Sequence, residues 1–522
     1  MQLHTPSRLA LTHNGTITIA LEWSFIVIAS LALIIMPQLK LAALNTSFYD
    51  LGQYVTILHR IALHGEWGWV LRGHTHLLAF PYAWIYAASP GPAGILAAQS
   101  TVVVATAWLA GRLWQEFSAG RPTTGAVIYL LSLPVWSSAL FDFHFEHQLM
   151  PLLLGALLLA HRPGPAALCG TVVLSLALCL VKEVYALTAA CMGLYLVLGR
   201  RHYVIGSIVI IISALYFKLM TSLVIPYFTD GKGSGVLWDG AFGYLGHSMS
   251  EIISTLMHQP LLPFFELVLY PDKLVFFLAI AASLGFVFLR RPLMLLPALP
   301  VLLTTALSRN PNHAVLLHQY TTSIVMVGFA AAAAAIGDLD ERGRKLSTRF
   351  VLAGSCIILV MFGQAPISQL FVLDMSWNYG VSAYIPTERD RLVRALVAEE
   401  LGAAGKQPID ELVIATQNSL FVPETGNAAL LVAFPEGVFE PTNTLASHMR
   451  GLPALILEAL TAPTGNHFPT RMVAVDTVIL DLKRPCFIRD QGCSTLLPMQ
   501  EQLAEGFRVA VDKDGLMIYR RR

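Results

Sequence analysis

Apolar stretches separated by short polar turns run from about residue 17 to residue 365, and their lengths set the elements. A helix needs about 17 to 25 apolar residues to cross a bilayer. On that measure the pattern predicts eleven spans, near residues 17–39, 92–113, 123–140, 147–160, 165–181, 184–199, 203–224, 273–289, 292–308, 315–336 and 349–365. Two of them, 147–160 and 184–199, fall short of that length. Leu77–Ala88 is apolar too, but it is brief, contains Pro81 and ends in Ser89-Pro90-Gly91-Pro92, so it reads as an interfacial or re-entrant segment. Tyr82, Trp84 and Tyr86 would then sit at the headgroup level. Along Tyr49–His64, leucine and isoleucine recur at helical spacing among polar residues, the pattern of an amphipathic surface helix. A long loop from Pro226 to Asp272 carries the glycine-rich GKGSG and a short helix, SEIISTLM.

After Pro366 charged residues return and strand-like runs appear at Leu412–Ala415, Leu430–Val432 and Thr477–Leu480. The chain ends in a hairpin pattern, FRVAVDKDGLMIYRR, with Asp514-Gly515 as its turn. The fold class expected is therefore mainly α: a polytopic membrane protein of about 11 helices with a small C-terminal α/β domain. Residues 1–365 would form the transmembrane domain, with juxtamembrane helices at 48–88, and residues 366–522 the α/β domain.

Charge orients this array. Arg112 and Arg121, Arg162, Arg200-Arg201, Arg290-Arg291 and Arg342 through Arg349 mark every second end of the apolar segments. By the positive-inside rule these turns are cytosolic, which puts the opposite ends, and the C-terminal domain after an odd number of spans, on the outer face of a plasma (inner) membrane. Arg8 precedes an apolar stretch from Ile17 to Leu44 that is long for a signal-peptide core and lacks a small-residue cleavage site, so it reads as a retained span.

Composition agrees: the chain is 55% hydrophobic and 13% charged, against about 25% charged in soluble proteins. A net charge of +1 gives no basic field for nucleic acid. Cys169, Cys179, Cys191 and Cys356 lie in apolar stretches and read as small hydrophobes. Cys486 and Cys493 are either a disulfide, if their compartment is oxidising, or two free thiols.

The candidate chemistry gathers at the ends without arginine. Asp50 follows the first span, where a carboxylate suits a helix start and a general base alike. Asp142, His144, Glu146 and His147 emerge after the third span and Lys182-Glu183 after the fifth. Ionisable groups at membrane depth are costly and mark function. If helical, Asp142 and Glu146 share one face and His144 and His147 another. With His74 and His76 these groups make a divalent metal a candidate cofactor, although the spacing matches no standard zinc signature. Solvated interfacial histidines are the other reading. Lys182 either anchors a helix end or neutralises a phosphate, as Arg60 or Arg72 would. His313, His318, Gln319 and Tyr320 are candidates for the rim, and Glu22 reads as interfacial or paired.

Six segments occur in a telling order: Y-D-L-G-Q at 49–53, H-T-H-L-L-A-F-P at 74–81, F-D-F-H-F-E at 141–146, L-V-K-E-V at 180–184, Y-L-G-H-S at 244–248 and H-Q-Y at 318–320. From about Phe48 to the C-terminus the chain thereby resembles the membrane-protein family designated domain of unknown function 2079. It departs from the family pattern at Val184 and at Gln53-Tyr54. That family is similar in layout to the GT-C glycosyltransferases. The resemblance implies a membrane glycosyltransferase that moves a sugar from a polyprenyl-phosphate donor to an acceptor on the outer face with inversion. Asp50 would be the catalytic base, and Arg72, His74, His76, Asp142, His144, Glu146, Lys182 and Glu183 would bind substrate. The partners implied are the polyprenyl-phosphate-linked sugar and the bilayer. The competing readings are a transporter or flippase of a lipid-linked or anionic substrate and a non-catalytic membrane scaffold.

Overall fold

The computed structural model describes residues 13–71, 74–89, 91–228, 241–246, 249–403, 409–428, 430–434, 438, 475–484, 501 and 503–522. Arg72, Cys486, Cys493 and the GKGSG segment lie outside the described residues, as do His247 and Ser248 of Y-L-G-H-S.

Every stretch expected to span is helical, but not all are unbroken. Helices α1 (His13–Ala42), α4 (Pro92–Ser118), α10 (Tyr203–Leu219, continuing through a π-turn to Phe228), α15 (Thr322–Gly337) and α16 (Glu341–Phe362) give five segments long and apolar enough to cross a membrane. Two bent pairs raise the number to as many as seven. One pair is α5 (Pro122–Leu130) and α6 (Leu133–Leu140), bent by 54°. Pro134 lies at the start of α6, where it lacks the N–H that would have bonded back into α5. The remaining apolar stretches form shorter helices: α7 (Leu149–His161), α8 (Pro165–Val181), α9 (Tyr185–Leu198), α13 (Pro271–Ser283) and α14 (Leu299–Leu307). Pro292, Pro297 and Pro300 tighten the lead-in to α14 into a 3₁₀ segment. Around the central α15 the other helices pack so closely that its Ala330–Ala333 run is wholly buried.

The loop expected from Pro226 to Asp272 holds more than a short helix. Both α11 (Met249–His258) and α12 (Leu262–Leu269) form there, bent by 88° as a broken span or re-entrant pair. Between α1 and α4 lie α2 (Gln53–His64) and α3 (Ala79–Ala88). The amphipathic α2 is where its periodicity put it. Helix α3 differs from expectation in its aromatic face: Tyr82 and Tyr86 are buried, and of the three rings expected at the headgroup level Trp84, 78% exposed, alone points outward. Two hydroxyls that find buried partners outweigh an interfacial position for those rings.

The charge alternation reappears as contacts. Arg121 pairs with Glu22 at 2.6 Å, Arg162 with Glu116, and Arg291 with Asp338. The arginine-bearing turns pair with one another's helices, while the turns that follow α1, α6 and α8 converge elsewhere. Glu22, also bonded by Thr123 and Thr124, is thus paired.

At the C-terminus, β1 (Val413–Thr416), β2 (Leu430–Ala433), β3 (Thr477–Asp481), β4 (Phe507–Lys513) and β5 (Leu516–Arg521) form one sheet in the order β2-β1-β3-β5-β4. Strands β2, β1 and β3 run parallel, whereas β5 pairs antiparallel with both β3 and β4. Asp514 and Gly515 have φ of 53° and 84°, the two left-handed residues that a tight hairpin turn requires. Helix α17 (Glu388–Ala403) is tied to the sheet by Arg389 on Asp481 and Arg520 on Glu400.

The sheet region also grips the start of the site. Arg484 donates to Ala43 O, Leu44 O and Asn45 Oδ1, oxygens of the turn that follows α1. Phe48 N and Tyr49 N donate to the backbone and side-chain oxygens of Asn418, just after β1.

Candidate functional site

Asp50 sits in a single π-turn, Phe48–Gly52, that bridges α1 and α2. Ser47 caps this turn; its Oγ donates to Asp50 Oδ2 at 2.8 Å and accepts from Asp50 N. The other carboxylate oxygen, Oδ1, lies 3.2 Å from His144 Nε2. Among the described residues His144 Nδ1 is buried without a hydrogen-bond partner, so the least costly tautomer carries its proton on Nε2 and donates it to Asp50.

Behind the turn, Asp142 and Lys40 form an ion pair of 3.0 Å with both side chains 1% exposed. Lys40 Nζ also donates to Leu140 O, and the second oxygen of Asp142 accepts from Ser47 N at 2.8 Å. Gln99 clamps the same segment by donating to Asp142 O and accepting from His144 N. These bonds hold Asp142 at a φ of 93°, a conformation a non-glycine residue keeps only when its surroundings enforce it. Asp142–His144 is therefore not helical, a 3₁₀ turn begins only at Phe145–Gln148, and the shared faces expected for Asp142 with Glu146 and for His144 with His147 do not form. Asp142 faces Lys40, His144 faces Asp50, and His147 is buried between Tyr82 Oη and His144 O.

A second carboxylate–imidazole pair stands opposite. Glu183 Oε1 is 2.6 Å from His74 Nδ1, while Oε2 accepts from Thr75 N at 2.9 Å. Lys182, beside it in sequence, lies 3.7 Å from Glu146. Between the two pairs is a cavity of about 140 Å³, lined by Asp50, His144, His74 and His76, by Tyr49, Gln53, Tyr54, Thr56, Ile57 and Trp69, and by Leu431 from β2.

Burial pushes Asp50 up to about 6; the neighbouring His144 opposes the rise and the buried Asp142 adds to it. Burial would raise Glu183 as well, but His74, Lys182 and the Thr75 N–H overcome it and hold that carboxyl well below the usual range. Glu146 is held low against burial by Lys182, His144 and His76. Burial, then Lys182 and His74, press His76 down to about 3, so it is a neutral hydrogen-bonding group at physiological pH. The chamber thus offers one carboxylate poised near neutrality among imidazoles, with the other carboxylates committed to cationic or amide partners.

A family model described as a predicted membrane protein, DUF2079, matches residues 40–421. The chain belongs to that family. The match begins at Lys40 and ends at Phe421, so it takes in β1 and Asn418 together with the helices. No curated protein matches this DUF2079 member. Among solved structures, ArnT from Cupriavidus metallidurans bound to undecaprenyl phosphate is similar at 12% identity and a TM-score of 0.49, covering 97% of this chain and 98% of that one. The Archaeoglobus fulgidus oligosaccharyltransferase in complex with zinc and sulfate is similar at 12% identity and a TM-score of 0.44, covering 88% and 68%. Scores at this level leave the functional reading to the site itself.

Of the residues singled out in the sequence, the structure brings Asp50, His74, His76 and His144 to the cavity and sets Lys182, Glu146 and Glu183 behind its imidazoles. Asp142 is turned away into the Lys40 pair. Arg72 lies outside the described residues. His318 stacks on Phe141 at 4.5 Å, and Phe141 on His144, so the predicted rim adjoins the site through that ring. Among the described residues no cluster of three or more histidine, cysteine, aspartate and glutamate side chains is gathered tightly enough to hold a metal ion.

Sequence reasoning missed Lys40, Ser47, Asn418, Trp69 and Leu431. For Lys40 there was a signal, a single ammonium at the end of a span whose one other charged residue is Glu22. Gln53 and Tyr54, where the chain departs from the family pattern, both line the cavity.

Proposed function

We propose that this membrane protein is a glycosyltransferase that takes a sugar from a polyprenyl-phosphate carrier and passes it to an acceptor at the outer face, in one inverting displacement. The observation that carries the proposal is Asp50: a carboxylate raised toward neutrality at the end of a lipid-facing bundle, opening on a cavity that is also lined by the imidazoles of His74, His76 and His144. Asp50 acts as general base on the acceptor hydroxyl while that oxygen attacks the anomeric carbon. Lys182 and His74, with Arg72, stabilise the departing lipid phosphate. His144 orients Asp50, and His76 and the aromatic walls hold the sugar. Asp142, given its contacts, acts through Ser47 as a positioning residue. The lipid tail stays in the bilayer while the reacting bond lies at the interface, which suits residues 1–365 as the membrane unit and 366–522 as an outer unit closing the cavity. The carboxylates and imidazoles of the cavity lie in turns at helix ends, which weighs against a transporter with a midplane site.

The test is release of polyprenyl phosphate from a polyprenyl-phosphate hexose by the purified protein, compared with Asp50→Asn. Turnover by wild type and its loss in the variant, with folding and insertion unchanged, is the expected result. Equal release by both removes the base assignment.

A further inference from the structure

His74 is placed differently from the other imidazoles of the chamber. His144 spends its Nε2 on Asp50, and His147 is buried with both ring nitrogens bonded. His76 is nearly all buried and turns Nδ1 to Val181 O. His74 is 29% exposed, lines the cavity, and has Glu183 fixed behind Nδ1 at 2.6 Å. Among the described residues no hydrogen bond is made by its Nε2. Glu183 is in turn immobilised by Thr75 N. A carboxylate that holds Nδ1–H orients the ring and leaves Nε2 directed away from it, the arrangement that makes an imidazole a proton carrier. Among the described residues, Glu183, Lys182 and His76, whose ring centre is 6.0 Å away, are charged or titratable groups around this ring.

We propose that His74, backed by Glu183, is the general acid that protonates the leaving phosphate, so that the chamber carries a base and an acid in two separate pairs. The inference rests on the glycosyl-transfer reading above. As the acceptor oxygen bonds to the anomeric carbon, its proton passes to Asp50. The bond from that carbon to the phosphate oxygen breaks, its electron pair stays on the oxygen, and the oxygen takes the proton from His74 Nε2. The products are the glycoside and a singly protonated lipid phosphate. Asp50 then gives a proton to solvent and His74 regains one, which restores the starting state.

The experiment measures polyprenyl phosphate released from polyprenyl-phosphate glucose, with water as acceptor, by wild type, Asp50→Asn, His74→Gln, His74→Ala and Glu183→Gln. His74→Gln retains a side-chain amide for Glu183 and guards against a folding defect, which elution and thermal unfolding of each variant also check. The expected result is a kcat lowered by about 100-fold in both His74 variants with KM little changed, and recovery of at least about tenfold in His74→Ala when imidazole is added. Glu183→Gln falls by about tenfold and is not rescued. A loss confined to KM, or no rescue by imidazole, overturns the proposal while leaving Asp50 as base. Absence of release by wild type, or wild-type release by Asp50→Asn, overturns the underlying function instead.

Discussion

Asp50 carries its raised pKa as a cost. With the folded value near 6 against an ordinary 3.8, the protonated form is favoured by the fold. The stabilisation it brings is full below about pH 4 and is lost as pH rises through 6. Asp50→Asn is therefore expected to unfold at higher temperature at pH 7.5, by about 1–3 kcal/mol of stability, while losing turnover; thermal unfolding in detergent checks it. The same group sets the acid limb of the rate, because a base must be ionised: wild-type turnover should fall as pH drops through about 6. A pH–rate profile flat from 5 to 8 would contradict this. Lys40 and Asp142 present the opposite case, two charges that tolerate burial only together. Lys40→Met should cost about 3–5 kcal/mol by stranding the carboxylate. The double change Lys40→Met, Asp142→Asn should regain most of that stability in the same unfolding experiment, since asparagine also accepts a positive φ, yet remain slow because Ser47 loses its charged anchor.

At the scale of elements, the π-turn that presents Asp50 is held from both sides, by Ser47 within the chain's first loop and by Asn418 after β1. Asn418→Ala removes the acceptor for Tyr49 N and should lower kcat by about tenfold, within the range of a lost buried hydrogen bond. Asn418→Asp keeps an acceptor and should retain turnover, with its acid limb moved to higher pH by the added negative charge near Asp50. An alanine variant as active as wild type would show that the turn holds itself. Much of this element structure was legible in the sequence. Helices α1, α4, α10, α15 and α16 follow from runs of apolar residues, α2 from its periodicity, and the final hairpin from Asp514-Gly515. Local patterns could not say that Tyr82 and Tyr86 turn inward, since that depends on His147 and Gly426, residues far along the chain. Nor could spacing reveal that Asp142 breaks the helix between α6 and α7, because the bonds that hold its φ come from Lys40, Ser47 and Gln99.

For the whole molecule, contacts such as Arg121–Glu22 join arginine-bearing turns to neighbouring helices, while the Asp50–His144 and His74–Glu183 pairs join the turns that follow α1, α6 and α8 with the segment before α3. The region after Pro366 also contributes to the chamber: Leu431 is one of its walls and Arg484 donates to Ala43 O just after α1. These contacts link residues separated by several hundred positions, beyond any local signal. The outward orientation proposed for the chamber is open to direct measurement. In a chain stripped of its own cysteines, single cysteines replacing exposed His64, at the far end of α2, and exposed Arg290, in an arginine-bearing turn, would be labelled in intact cells with a membrane-impermeant maleimide. The account predicts that cysteine at 64 reacts from outside and cysteine at 290 only after the cells are opened. The reverse pattern, or equal reaction of both in intact cells, would contradict it.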